Sequence, residues 1–286
     1  MFTEEYKSTI AAGLAAYTES LIDYPWIGLK IKLQSAQRVN FTPRELFRGL
    51  VAFQASLIPS ILVQEKFDHA YRTSRYYNRS SILDCIAYCI AGIPAALIAT
   101  PVERIILEQQ KSKKLLFISI KAVVNNHGVL NIWRGFLPTV GREAGFAIPI
   151  WWGGAFLSSE LKRQHIPFSG IIGPIVAGFF GAVISHPFDV IGTRMQYELN
   201  TSMPTITKSI WRENGIGGFF PGFLFRTISI AGATYWIPFF TEKYSSSLDP
   251  WSTSAKAPTK NATPFQATIS SPPPPLLENE TPLKRP

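Results

Sequence analysis

One arrangement of residues occurs three times and constrains this chain more than any other feature. The third copy reads His186-Pro187-Phe188-Asp189-Val190-Ile191-Gly192-Thr193-Arg194-Met195-Gln196. It closes an apolar run rich in small residues, from Gly173 to Ser185, and a Gly/aromatic segment follows some thirty residues later. The earlier copies start at Tyr24-Pro25-Trp26 and Thr100-Pro101-Val102, and in each a glutamine (Gln34, Gln110, Gln196) stands nine residues after the proline. A chain with one unit in triplicate is a repeat protein, so each unit packs against its neighbours to complete a shared core.

Each proline lies well inside a helical pattern, where it removes a hydrogen bond and kinks the helix. Three kinks at matching depth would draw three helices together at one end. Small residues precede them in register: Ala12, Ala16 and Ser20, then Gly92 and Ala96, then Gly178 and Ala182. Such a stripe lets helices approach closely in a membrane. Polar residues follow the prolines at +2 (Glu103, Asp189), +5 (Lys30) and +9 (Gln34, Gln110, Gln196), positions roughly on one helix face.

Composition agrees with a membrane protein. The chain is 46% hydrophobic and 16% charged and holds 22 prolines, against about 25% charge in an ordinary soluble domain. No stretch reads as a clean span of the ~20 apolar residues that a lipid-surrounded helix needs. Each candidate helix carries one or two polar groups, as helices lining a wet cavity would. The net charge of +9 suits anionic lipid or an anionic solute. No concentrated basic run or aromatic platform points to nucleic acid. Cys85 and Cys89 on one apolar helix read as packing residues, and His69, His127, His165 and His186 are scattered, so no metal site is expected. No nucleophile–base constellation suggests an enzyme. The acidic start, Met1 to Lys7, argues against a cleaved leader.

The expected fold is an all-α membrane protein with six transmembrane helices in three pseudosymmetric repeats. The units cover about residues 8–72, 81–163 and 170–247, a carrier domain of 1–247, with short amphipathic surface helices at Leu115–Asn125 and Ile206–Glu213. Residues 248–286 hold nine of the prolines among Ser, Thr and Ala, a composition that predicts disorder.

The three copies, with Arg48-Gly49, Trp133-Arg134-Gly135 and Phe220-Pro221-Gly222 downstream, resemble the mitochondrial carrier family. Its signature is P-x-[DE]-x-x-[KR]-x-[KR] followed later by [DE]-G-x-x-x-x-[aromatic]-[KR]-G. The resemblance covers about residues 8–245. It implies a six-helix barrel that moves one solute at a time through the inner mitochondrial membrane by alternating access, as a multi-pass monomer. It also implies a matrix gate of ion pairs between repeats. Here Lys30 and Glu103 stand at matching positions and should pair; Asp189 faces Ile106 where a base is expected; the third pair is lost at Gly192 and Ile27. Gln34, Gln110 and Gln196 occupy brace positions, and Asp23 is a substitute acid. Pro25, Pro101 and Pro187 are the helix kinks. Arg48, Gly49, Gly128, Arg134, Gly135, Gly215 and Gly222 match positions where helix N-termini hold cardiolipin, the one structural lipid and only cofactor-like group expected; the dipole and unpaired N–H groups there attract phosphate.

Solute contacts implied by the resemblance are Arg142 and Glu143 on the fourth helix, Arg226 and Ser229 on the sixth, and Gln54 and Ser56 on the second. Arg142 would clamp a carboxylate or phosphate bidentately. Positive charge and aromatic residues favour an anionic metabolite of nucleotide type, such as ATP; the Arg142-Glu143 pair is similar to that of carriers of amino-acid-like solutes. A carrier-shaped interaction protein that transports nothing is the rival reading. The tail, with Glu278, Glu280, Lys284 and Arg285, looks like a secretion address of an intracellular bacterium, which would direct the carrier to host mitochondria; a passive extension is the alternative.

Overall fold

The small-residue stripes predict where helices meet, and the computed structural model buries them there. Ala16 is 3% exposed, and Ser20, Ala96 and Ala182 are fully buried. A Cβ on Gly92 would lie 3.1 Å from the backbone nitrogen of Ala144 on the facing helix. The structure describes residues 4–39, 41–74, 81–149, 153–167 and 169–248. The proline-rich tail, Trp151 and Trp152, and the side chain of Cys85 lie outside the described residues.

The chain folds as α1 (Glu4–Gln34), α2 (Pro43–Leu46), α3 (Leu50–Arg72), α4 (Ser81–Ser112), α5 (Leu116–His127), α6 (Phe136–Ile148), α7 (Gly154–Arg163), α8 (Ser169–Tyr197), α9 (Met203–Asn214) and α10 (Phe223–Leu248). Short 3-10 turns, Val129–Trp133 and Gly215–Phe219, precede α6 and α10. Pro25, Pro101 and Pro187 sit inside α1, α4 and α8, which run on helically past them. Neighbouring helices in a membrane protein keep a proline-broken turn packed. Against the expectation of no clean span, Ile172–Tyr197 is long and apolar enough to cross a membrane. Its charges, Asp189 and Arg194, fall in its last third, and nothing from Ile172 to Phe188 carries a formal charge at neutral pH.

The long helices close a ring. α1 packs on α3, α3 on α4, α4 on α6, α6 and α7 on α8, α8 on α10, and α10 back on α1. The α1–α10 seam joins the first repeat to the third and is the most extensive. Ile31, Ala52, Ile105, Ile106 and Leu107 form one core cluster; Val190 and Ile191 of α8 form another with Ile206 and Ile210 of α9. Ile206 and Ile210 come from one face of α9, whose Lys208 stays exposed. This is the amphipathic pattern expected of a surface helix.

A threefold register fixes the ring. Gly49, Gly135 and Gly222 immediately precede α3, α6 and α10, with φ of 99°, 86° and 76°. A Cβ on Gly49 would lie 2.9 Å from Ile106, one on Gly135 3.2 Å from the Gly192 carbonyl, and one on Gly222 3.1 Å from the Lys30 carbonyl. Ile106, Gly192 and Lys30 are each the fifth residue after a repeat proline. So every repeat sets its glycine on the same turn of the next repeat's proline-containing helix. Within repeats one and three, the residue before the proline ties this junction down. Tyr24 Oη donates to the Arg48 carbonyl at 2.7 Å, and Nε2–H of His186 donates to the Pro221 carbonyl at 3.0 Å. Thr100 is too short and donates to Ala96 of its own helix.

Gly222→Ala is therefore expected to cost about 1–3 kcal/mol, since it combines a left-handed backbone with a blocked Cβ position. Thermal unfolding in detergent should show a lower melting temperature. Gly217→Ala, where nothing lies within 4 Å, should leave it in place.

Candidate functional site

Below the prolines, α1, α4 and α8 point side chains at one another, and one carboxylate sits at the meeting point. Asp189 on α8 is 2% exposed at its side chain. Lys30 Nζ reaches its Oδ2 at 3.0 Å, Gln34 Nε2 at 2.7 Å and Arg226 Nη1 at 2.9 Å; Arg142 Nη1 lies 3.1 Å from Oδ1. Arg142, on α6, also forms a short ion pair with Glu103 and bonds Glu143 Oε1 at 3.1 Å from Nε and 2.6 Å from Nη2. Arg226, on α10, donates to Ser185 Oγ at 2.7 Å and lies 5.8 Å over the Phe146 ring. Gln34 is braced in turn, accepting from Thr193 Oγ1 at 2.9 Å.

These six charges balance. Lys30, Arg142 and Arg226 oppose Glu103, Glu143 and Asp189. The surplus positive charge of the chain lies elsewhere. A cavity of about 280 Å³ is lined by all six and by Phe53, Phe146 and Ser229.

The geometry corrects the expected pairing. Lys30 places its ammonium on Asp189, and Glu103 is taken by Arg142. Asp189, expected to lack a base, is held by three cations. The reason is reach. Ile106 offers no charge on α4, but the long forked side chains on α6 and α10 cross the cavity and supply it. Of the three glutamines, Gln34 alone braces the cluster: neither polar atom of buried Gln110 has a hydrogen-bond partner, and Gln196 Nε2 has none. Asp23 does not join the cluster. It faces α10, where Ser229, Ala233 N–H and its neighbour Glu19 meet it. Gln54 does not line the cavity; its amide donates to Ser20 at 3.0 Å between α1 and α3. Ser56 donates to the Phe53 carbonyl of its own helix. Arg226 was legible only as a cavity candidate; its part in holding Asp189 carries no local motif.

A second layer of charge lies outside the cluster. Lys32 bonds Glu45 at 3.3 Å and Arg48 bonds it at 3.1 Å. Burial acts to raise the Glu45 carboxyl, but the two cations outweigh it and hold it below the usual carboxylate range. Arg194 pairs with Glu213 at 3.0 Å, and Arg104 with Glu108 at 3.6 Å. Gly128 and Gly215 share the positive φ of the other junction glycines. Arg134 turns inward, donating to the carbonyls of Met195, Glu198 and Thr201.

A closed ring of three like units around a charged, aromatic-lined cavity is the architecture of a multi-pass membrane carrier. The family described as mitochondrial carrier protein matches residues 77–153 and 164–249. The chain belongs to the mitochondrial carrier family, a family of multi-pass proteins of the inner mitochondrial membrane that are not enzymes. The first unit, outside the matched residues, sets Gly49 on its neighbour in the same register as the other two. A mitochondrial glutathione transporter of Bos taurus is 29% identical over 217 residues, 66% of this chain and 63% of that protein. Its Homo sapiens counterpart is 29% identical over 218 residues, with the same coverage. A mitochondrial S-adenosylmethionine carrier protein of Mus musculus is 26% identical over 243 residues, 78% of this chain and 88% of that protein. The chain thus spans less than two thirds of the length of the glutathione transporters it matches.

Removing Asp189 as the shared acid should be the most damaging single change at this level. Asp189→Asn leaves buried cations uncompensated, at a cost of about 3–5 kcal/mol. In a double-mutant cycle on thermal stability, Lys30→Met with Asp189→Asn should couple by about 1–3 kcal/mol. Lys30→Met with Glu103→Gln should couple by less than half of that.

Proposed function

We propose that this chain carries a small zwitterionic solute with an amino-acid headgroup across the inner mitochondrial membrane by alternating access, as a monomer. The balanced charge of the cavity carries this reading. A nucleotide such as ATP brings several negative charges, and the three carboxylates that line the cavity would oppose it. A solute with one carboxylate and one ammonium can replace the internal pairs charge for charge.

Arg142 is the group to be recruited. Its planar fork matches a carboxylate, and its present partners are two glutamates and Asp189. A solute carboxylate that took this fork would release Glu143 to accept the solute's ammonium. Asp189 would keep Lys30, Gln34 and Arg226. The named solutes of the relatives, glutathione and S-adenosylmethionine, both contain such a headgroup, which supports the assignment. Phosphate groups of cardiolipin are proposed to sit at the exposed N–H groups that open α6. There a groove of about 500 Å³ runs along Gly135, Phe136 and Leu137 beside Met195 and Met203.

Uptake of labelled glutathione, S-adenosylmethionine and ATP into proteoliposomes tests the reading. One of the first two is expected to enter, and Arg142→Ala should reduce entry by at least about thirtyfold, the equivalent of a ~2 kcal/mol buried charge pair. Arg142→Lys should not restore it, because an ammonium is not a bidentate partner. Entry of ATP alone would overturn the solute class. Entry of nothing would favour a carrier-shaped interaction protein.

A further inference from the structure

The α1–α10 seam holds two carboxyls that the cavity cluster does not use. Glu19 and Asp23 are one helical turn apart on α1, so they share a face. Glu19 is 7% exposed and Asp23 3%. Their carboxyls lie beside each other and interact directly. The Asp23 carboxylate lies flat on Gly232 of α10: a Cβ there would be 2.6 Å from both of its oxygens. Gly232 thus leaves a seat that any other residue would fill.

No cation accompanies the pair among the described residues. On α10, the groups that face it are the Ser229 hydroxyl and the Ala233 N–H. Arg226, one turn before Ser229, is engaged with Asp189 and Ser185. On α3, Gln54 donates to Ser20. Around α2, Lys32 and Arg48 hold Glu45, and Tyr24 donates to the Arg48 carbonyl. On α8, Asp189 holds Lys30. On α1 itself, Thr18 bonds Tyr244. Two adjacent carboxylates buried without a cation do not both stay ionised. A second observation points the same way. Asp23 Oδ2 is buried and has no hydrogen-bond donor, which an O–H on Glu19 would supply.

We propose that Glu19 and Asp23 form a proton-binding site, and that its proton travels with each transported solute. The step is a simple protonation. A carboxylate of the pair takes one proton from water on one side of the membrane, and the O–H bond breaks to return it on the other. No electron moves. Ser229 connects the pair to the solute, since it faces Asp23 and also lines the cavity. Proton binding stands on the seam alone; coupling to the solute rests on the transport reading above.

Infrared spectra of the full chain in lipid vesicles test the first part. At about pH 7, far above the ~4 where exposed carboxyls titrate, the wild type should keep a protonated-carboxyl band. Glu19→Gln and Asp23→Asn should each lose it, and Glu160→Gln, at an exposed carboxylate bonded to Arg163, should retain it. No band in the wild type, or a band unchanged in both variants, would overturn the site. Glutathione uptake into proteoliposomes with an interior one pH unit more alkaline tests the second part. About tenfold accumulation is expected for one proton per solute, and it should vanish in both variants. Uptake that ignores the gradient would overturn the coupling. If glutathione does not enter at all, the coupling falls with the transport reading, while the infrared band still decides the site.

Discussion

A carboxylate removed from water must be met by cations and donors, and Asp189 is where this molecule meets that demand. Two oxygens receive Lys30, Gln34, Arg142 and Arg226 from three different helices. Each of those side chains is long enough to span the cavity only because the helices that carry them converge here. The ring closure, the prolines and the junction glycines can all be understood as the geometry that makes this meeting possible. Breaking such a buried network is costly because the groups left behind remain desolvated.

The three repeats share a backbone device but not a chemistry. The fifth residue after each proline seats the neighbouring repeat's glycine in all three cases. Yet that residue is Lys30 in the first, Ile106 in the second and Gly192 in the third. A ring of three equivalent ion pairs is therefore impossible. The missing base is supplied from α6 and α10 by Arg142 and Arg226. These same arginines line the cavity, so closure and solute contact draw on one set of charges. A solute that competes for Arg142 would loosen the helices as it binds, which ties recognition to motion without a separate relay.

Outside the cluster, polarity is distributed unevenly around the ring. The α1–α10 seam buries Glu19 and Asp23 beside small residues of α10, while the helix face turned outward carries Tyr235 and Phe239. In lipid, a polar group inside such a seam persists only with a partner or a function. The second and third repeats anchor their surface helices by other means, through Val123 and through Ile206 and Ile210. Uneven seams of this kind allow one side of a pseudosymmetric ring to titrate while the others stay fixed.

The sequence by itself determined the triplication, the helix–surface helix–helix unit, the buried small-residue stripes and the family. These features are local: a proline, a glycine or a stripe at fixed spacing acts on its own turn, and periodicity exposes it. Through the resemblance it also singled out Arg142 and Glu143 as cavity charges and Asp189 as a gate acid. Only the tertiary structure decided their partners. Lys30 lies far from both Glu103 and Asp189 in the chain, and register alone favoured the former. Which acid it meets depends on where two arginines from α6 and α10 arrive, because long charged side chains choose partners by reach and by the balance of all charges in one cavity. Gln54 and Asp23 fell to the helix seams for the same reason. A helix face is fixed by period, but whether that face opens on water or on a neighbour is fixed by how the ring closes.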